Sequence, residues 1–208
     1  MNDIKRTKFN ISILGETTVG KTCIIESLSG KPFNEGKLAT IGVDNVNHKT
    51  TIDGNKYIFK IFDTAGQERY KSIAGSTIKV ADGFILVFSV DNKNSFDKIS
   101  EWIDNIEQFI DRKEKILILF GNKIDINERQ VSNEEAIKFA KERNMKYFET
   151  SAKTGFGIQN AFNQVFRDIY ELNIKKKEDN KNKKDNMNSN QNIVINNEKH
   201  ERKKSNCC

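Results

Sequence analysis

The stretch FNISILGETTVGKT at residues 9–22 decides the fold of this 208-residue chain. Residues 9–14 form a short apolar run that is typical of a strand buried on both faces of a parallel sheet. Residues 15–22 fit the spacing G-x-x-x-x-G-K-[ST], which joins such a strand to a helix and binds nucleotide phosphates. The alternative interpretation is a chance glycine turn before a helix.

The loop at residues 15–22 supplies the groups that phosphates require. Its glycines let the backbone wrap closely, and its N–H groups face the phosphates at the start of a helix. Lys21 would reach the β and γ phosphates, and Thr22 would ligate magnesium. We therefore expect nucleotide contacts from this loop and the start of the following helix, at Gly15, Thr17, Thr18, Val19, Gly20, Lys21, Thr22 and Cys23. Cys23 also fits a simpler role as a small packed residue.

Further apolar runs predict the rest of a sheet. They cover residues 57–62, 84–87 and 116–120, and a short strand is expected near Tyr147. Asp53-Gly54 separates two strand-like runs and predicts a hairpin turn, the one place where antiparallel pairing is expected.

Segments of helical spacing lie between these runs. An apolar stripe extends from Phe96 through Trp102 to Ile110, and Ser95 is placed to cap its start. A capping box at residues 132–135 precedes a second helix, and residues 158–169 mark the last one. The alternation predicts a doubly wound α/β domain with a mostly parallel six-stranded sheet flanked by helices.

Composition divides the chain into a domain of residues 1–172 and a tail of residues 173–208. The tail holds ten Lys or Arg and five Asp or Glu, so it carries +5 of the formal charge of +6. Its few apolar groups cannot offset chain entropy, which predicts disorder. Because the basic charge lies in the tail, we expect no nucleic-acid partner. No apolar run approaches the length of a membrane span, which predicts a cytosolic chain.

Two later motifs indicate which base is bound. NKID at residues 122–125 follows the run at 116–120, and SAK at residues 151–153 follows the strand near Tyr147. Asp125 would accept two bonds from guanine, whereas adenine would leave its buried carboxylate unpaired. The pattern therefore favours GTP over ATP, with contacts from Asn122, Lys123, Asp125, Ser151, Ala152 and Lys153. Either motif alone is also compatible with a surface turn.

The motif DTAGQE at residues 63–68 predicts a switch. Asp63 would hold magnesium through water, and the Gly66 N–H would meet the γ phosphate. Gln67 would orient the attacking water, and Thr40 would complete a metal shell with Thr22 and Asp63. Loss of the γ phosphate would release the segments of Thr40 and Gly66 together.

The motifs GETTVGKT, TIGVD, DTAGQERY, GNKID and TSAK, in this order, resemble the Ras superfamily of small GTPases. TIGVD, DTAGQERY and the terminal Cys-Cys resemble its Rab branch, and the resemblance covers residues 8–172. It implies a magnesium-dependent switch in vesicle and membrane traffic that hydrolyses GTP to GDP slowly, with Gln67 as the catalytic residue. The implied partners of this monomer are an exchange factor, an activating protein, effectors, a prenylation escort and a dissociation inhibitor.

The resemblance also assigns roles to single residues. Phe33 would pack on the guanine, the stem of Lys123 would cover its other face, and the Ala152 N–H would bind its carbonyl. The less favoured alternative for Phe33 is a loop anchor. Cys207 and Cys208 would be geranylgeranylated, the alternative being two free thiols. Two lipid chains would hold the protein on the cytoplasmic face of an intracellular or plasma membrane, with a cytosolic pool.

Three departures from the Rab pattern fall on the surface that effectors read: Asn45, Phe62 and Thr77. They predict that common Rab effectors do not recognise this chain. Thr17 and Thr18 are larger than the usual loop residues, which keeps open a GTP-loaded scaffold that barely hydrolyses. A Ras- or Rho-type switch with other lipid chemistry is disfavoured by the Asn-Cys-Cys end.

Overall fold

A computed structural model of the protein describes residues 7–35, 43–64 and 77–179. In chain order, the strands of these residues are β1 (Lys8–Leu14), β2 (Val43–Ile52), β3 (Asn55–Thr64), β4 (Gly83–Ser89), β5 (Ile116–Asn122) and β6 (Lys146–Glu149). The helices are α1 (Lys21–Leu28), α2 (Lys93–Asp97), α3 (Ile99–Glu107), α4 (Asn133–Glu142) and α5 (158–179), with a helical segment at 77–80 and a 3₁₀ turn at Arg112–Glu114.

The described strands form one six-stranded sheet in the order β2-β3-β1-β4-β5-β6. Every neighbouring pair is parallel except β2 with β3. This confirms the predicted doubly wound, mostly parallel sheet, and it brings the carboxyl ends of β1, β3, β4 and β5 to one edge. Asp53 and Gly54 join β2 to β3 with φ angles of +50° and +75°, as in the type I′ turns that suit hairpins.

The sheet is buried where its strands are most apolar. All seven residues of β4 are buried, and so are the last six of β5. One layer of the core packs α2, α3 and α4 against these strands. The early part of α5 packs on the sheet as well, since the Phe166 ring stacks on Phe59 at 4.3 Å and Phe162 meets Phe120 edge to face. Both faces of the sheet are therefore covered, as the continuous apolar runs predict.

One predicted helix cap differs from the structure, and another is confirmed. Ser95 is not the N-cap of the stripe helix: Asn92 caps α2 by accepting the Ser95 N–H at 3.1 Å, and the stripe is divided between α2 and α3. Asn92 and Ser95 both fit a cap pattern, and Ser95 instead donates its hydroxyl to the Asn92 carbonyl. The predicted cap at Ser132 is confirmed, because its hydroxyl accepts the Glu135 N–H at 3.1 Å.

The chain divides into two compact units, residues 1–169 and 170–208. In the second unit the described residues, 170–179, are helical. The prediction of disorder therefore does not hold for residues 173–179. An existing helix extends at little cost because its nucleus is already formed, and the Lys- and Glu-rich sequence has good helix propensity. The predicted boundary at residue 172 falls inside α5, and the rest of the tail lies outside the described residues. No helix in the described ranges is long and apolar enough to cross a bilayer.

Candidate nucleotide site

The loop between β1 and α1 contains two glycines with positive φ angles. Gly15 has φ +143°, and a Cβ there would lie 2.2 Å from the Val87 carbonyl oxygen on β4. Gly20 has φ +96° and is the N-cap residue of α1. Glycine at both positions therefore lets the loop pass close to its neighbours and turn directly into the helix.

Lys21 is folded back onto this loop. The residue is 6 % exposed, and its ammonium group donates to the carbonyl oxygens of Gly15 and Glu16, both at 2.7 Å. The two carbonyls accept N–H groups of the ammonium that could otherwise donate to phosphate oxygens. The lysine is therefore held in position for an anion. Thr17 and Thr18 are exposed, and Cys23 is a half-buried residue of α1.

Thr18 has φ +64°, the left-handed conformation that a β-branched residue rarely adopts. The preceding residue, Thr17, is not among the non-glycine residues with positive φ. The strain is therefore confined to one position of the loop, where glycine would carry none.

Asn122 connects the phosphate loop to the two predicted base loops. It ends β5 and is 1 % exposed. Its amide Nδ2 donates to the Val19 carbonyl at 2.8 Å, while its Oδ1 accepts from the Ala152 N–H at 3.1 Å and the Thr150 hydroxyl at 3.3 Å. The sequence predicted a nucleotide contact at Asn122, and the structure gives this side chain the additional role of holding three segments together.

The two base loops also bind each other directly. The Ser151 hydroxyl donates to Asp125 Oδ1 at 2.6 Å, and Ser151 Oγ accepts the Thr154 N–H at 3.1 Å. This orients the Asp125 carboxylate without neutralising it. The Ala152 N–H, predicted to bind the guanine carbonyl, donates here to Asn122.

The remaining base residues lie at the rim of the site. The Phe33 ring is 40 % exposed in the loop after α1. Lys123 has φ +67°, and its ammonium group is 3.6 Å from Asp91 Oδ2. Lys153 pairs at 2.8 Å with Glu35, two residues beyond Phe33, and this hydrogen bond and charge lower the pKa of Glu35 and raise the pKa of Lys153. The ion pair, which the sequence did not reveal, joins the Phe33 loop to the base loop at 151–153.

Two of the three predicted metal ligands are described. Asp63 is 4 % exposed near the end of β3 and pairs in register with Ile13 of β1, at the edge from which the phosphate loop starts. Thr22 is the second residue of α1. A hydroxyl and a carboxylate are the oxygen ligands that Mg²⁺ prefers, and this ion is usually held by one or two carboxylates together with phosphates. Among the described residues, no group of three or more His, Cys, Asp or Glu side chains could hold a metal ion.

The other predicted residues lie outside the described ranges. They are Thr40, Gly66, Gln67, Cys207 and Cys208. Two of the unusual surface positions, Asn45 and Phe62, face each other across β2 and β3, and the Lys60 ammonium lies 4.9 Å from the Phe62 ring centre. Thr77, which was predicted to lie on the same surface, is instead buried at the start of the helical segment 77–80.

The doubly wound sheet with a phosphate loop after β1 and two coupled loops after β5 and β6 defines a nucleotide-binding protein of the P-loop class. Comparison with known families gives the particular branch. The model of the Ras family matches residues 10–171.

Several relatives are similar over most of their length. Ras-related protein Rab-8A of Bos taurus is 40 % identical over 173 residues, 83 % of this chain and 83 % of the relative. Ras-related protein Rab-18 of Lymnaea stagnalis is 38 % identical over 165 residues, 79 % of this chain and 82 % of the relative. The chain belongs to the Ras superfamily of small GTPases, in its Rab family, and is a GTP hydrolase that acts in membrane traffic.

Proposed function

We propose that this chain is a magnesium-dependent GTP/GDP switch that hydrolyses GTP slowly through Gln67 and is attached to a membrane by prenyl groups on Cys207 and Cys208. The observation that supports it most directly is the side chain of Asn122. It bonds the phosphate loop at Val19 and the base loop at Ala152, so the predicted triphosphate and guanine sites form one unit.

Nucleotide binding exchanges the partners of residues that are already in place. The phosphates replace the Gly15 and Glu16 carbonyls as acceptors for the Lys21 ammonium group. Asp125, oriented by the Ser151 hydroxyl, accepts the N–H groups of guanine. Phe33 and the stem of Lys123 cover the two faces of the base, and Lys153 helps to close the rim.

Magnesium would be held by Thr22, Asp63 and Thr40, and when bound it neutralises charge on the phosphates. Gln67 orients the attacking water, and the Gly66 N–H contacts the γ phosphate. No arginine of the phosphate or base loops is placed as an internal finger. Unaided turnover of about 10⁻⁴ s⁻¹ and a gain on the order of 10⁵ from the arginine of an activating protein are therefore expected.

The other partners follow from the same cycle. An exchange factor is needed because phosphate, metal and base contacts must loosen together. Effectors bind the GTP state through the surface that includes Asn45 and Phe62. A prenylation escort and a dissociation inhibitor serve the two lipid chains, and the monomer moves between the cytosol and the cytoplasmic face of an intracellular or plasma membrane.

The test starts with the purified full chain. The bound nucleotide is released and identified, and γ-phosphate cleavage is followed in a single turnover for the wild type, Gln67→Leu and the control Gln159→Leu on the exposed surface of α5. We expect guanine nucleotide, slow cleavage in the wild type and the control, and loss of cleavage in Gln67→Leu. Bound adenine nucleotide would contradict the proposal.

The second candidate is a GTP-binding scaffold with little hydrolysis, and the strained backbone of Thr18 in the phosphate loop favours it. If this loop cannot adopt the catalytic geometry, bound GTP remains uncleaved even when a Rab activating protein supplies its arginine. Cleavage that the activating protein stimulates and that depends on Gln67 would support the switch and contradict the scaffold.

A further inference from the structure

The indole ring of Trp102 reaches the phosphate loop from helix α3. Its Nε1–H donates to Glu16 Oε1 at 3.3 Å, across 86 residues of sequence. Trp102 is the single tryptophan of the chain, and its ring packs against the buried core formed by α2, α3 and α4 with the sheet. The sequence predicted only this packing, through the apolar stripe, and gave no sign of the polar contact. One side chain therefore joins the core to the loop after β1.

Glu16 carries a negative charge within a loop whose other groups suit an anion. Its carbonyl oxygen accepts from the Lys21 ammonium at 2.7 Å, so its backbone belongs to the phosphate-binding arrangement. A carboxylate that turned toward bound phosphates would repel them, and this repulsion grows as water is excluded. The direction in which the Glu16 side chain points therefore affects how tightly a nucleotide is held.

The geometry points to Trp102 as a positioning residue for the phosphate loop: we propose that its indole N–H holds the Glu16 carboxylate toward α3 and away from the nucleotide phosphates. The inference rests on the proposed function, since it concerns the release of GDP from that site. The packed ring gives the donor a fixed position, and a hydrogen bond to a charged acceptor is stronger than one between neutral groups. Trp102 acts only through Glu16 and touches no substrate atom in this role.

A double-mutant cycle tests the coupling. Release of a fluorescent GDP analogue with excess GDP and fixed magnesium is measured for the wild type, Trp102→Phe, Glu16→Gln and the double variant. Phe keeps an aromatic ring but lacks the N–H, and Gln keeps the shape of Glu without its charge. We expect Trp102→Phe to release GDP about tenfold faster when Glu16 is present, the lower end of what one hydrogen bond to a charged group contributes. Added to Glu16→Gln, the same change has little further effect, because no charge is set free.

Equal acceleration by Trp102→Phe in both backgrounds overturns the proposal, since a purely structural role of the ring does not depend on the charge of residue 16. No acceleration in either background overturns it as well. Failure of the proposed function looks different, because the wild type itself then holds no guanine nucleotide.

A second measurement applies even if Trp102→Phe does not fold. The single tryptophan gives one indole N–H resonance in an NMR spectrum of the GDP-loaded chain. In the wild type it is expected to be shifted downfield and slow to exchange with solvent, and Glu16→Ala should move it upfield and speed its exchange. An indole resonance that Glu16→Ala leaves unchanged shows that the contact does not form in solution and overturns the inference.

Discussion

The two sides of the nucleotide site are held in place by different means. On the guanine side, side chains bind across loops: the buried Asn122 to Ala152, and the buried Ser151 to the exposed Asp125. On the phosphate side, the loop relies on glycine backbone conformations and on Lys21, which bonds to the loop's own carbonyls. Guanine presents the same hydrogen-bonding edge in GTP and in GDP, whereas the number of phosphates differs between the two. Fixed contacts suit the first task, and exchangeable contacts suit the second.

The largest expected effect is on the phosphate side, where backbone geometry has no substitute. Gly15→Ala combines a positive φ with a Cβ that would lie 2.2 Å from the Val87 carbonyl oxygen. We expect it to lower the free energy of unfolding by about 4 kcal/mol, from backbone strain together with overpacking. Urea unfolding at fixed GDP and magnesium measures the change.

Gly30→Ala is the matched control for Gly15→Ala. Gly30 also has a positive φ, +73°, but a Cβ there meets nothing within 4 Å. It should cost only the backbone strain, about 1 kcal/mol. Similar losses in the two variants would contradict the claim that close approach to β4 fixes the start of the phosphate loop.

The next largest effect is expected on the guanine side. Asn122→Ala removes the bonds to Val19, Thr150 and Ala152 and leaves buried polar groups unsatisfied, so we expect a loss of about 3 kcal/mol in the free energy of unfolding. Affinities for GDP and for inorganic pyrophosphate should fall together, because one side chain holds both sides. The control Asn92→Ala removes the cap of α2 and should cost about 1 kcal/mol without affecting binding.

A smaller effect of opposite sign is expected at Thr18. Thr18→Gly removes the left-handed strain of a β-branched residue, about 1–2 kcal/mol, and adds chain entropy to the unfolded state, about 0.5–1 kcal/mol. The net result is a rise of about 0.5–1 kcal/mol in the free energy of unfolding, as the difference of these two terms. Thr17→Gly only adds chain entropy to the unfolded state, so it should lower the free energy of unfolding by a similar amount. Losses in both variants would show that Thr18 is not strained.

The smallest effect concerns the Glu35–Lys153 ion pair, because exposed pairs contribute little. Glu35→Gln should speed GDP release slightly at low salt, and the difference should vanish at about 0.5 M salt. Glu26→Gln, which removes an ion-pair partner of Lys31, should leave release unchanged. A salt-independent increase for Glu35→Gln would point to a cause other than charge.

The same ion pair predicts how GDP release depends on pH. The Lys153 hydrogen bond and charge hold the pKa of Glu35 below its ordinary value. The contribution of the Glu35–Lys153 pair to holding the nucleotide is therefore complete above the ordinary carboxyl pKa. It is lost as the pH falls through the lowered pKa of Glu35. Release by the wild type and by Glu35→Gln should converge in that acidic window.

The sequence was informative where local pattern determines structure. The run at residues 9–22 predicted β1, the phosphate loop and α1, and Asp53-Gly54 predicted the hairpin, because spacing and turn chemistry are local. The choice between Asn92 and Ser95 as the α2 cap could not be made from pattern, since both residue types cap helices. The extension of α5 to residue 179 depended on continuing a helix rather than on burying an apolar face.

Long-range side-chain contacts could not be predicted from the sequence. The bonds from Asn122 to Val19 and from Trp102 to Glu16 join residues 103 and 86 positions apart. Each requires the sheet order to be known before the partners can be identified. Predicting the residue types of the site therefore gave its chemistry, and the structure was needed to show what holds those residues in place.

The Asp53-Gly54 turn offers a position for attaching a probe. It lies at the start of β3, whereas Asp63 lies near the other end of that strand, on the order of 25 Å away for an extended chain. A Cβ at Gly54 meets nothing within 4 Å, so the turn has room for a short insertion. A dye-binding tag placed there would act as a donor for energy transfer to a fluorescent nucleotide, reporting occupancy of the site in living cells without touching the loops that form it.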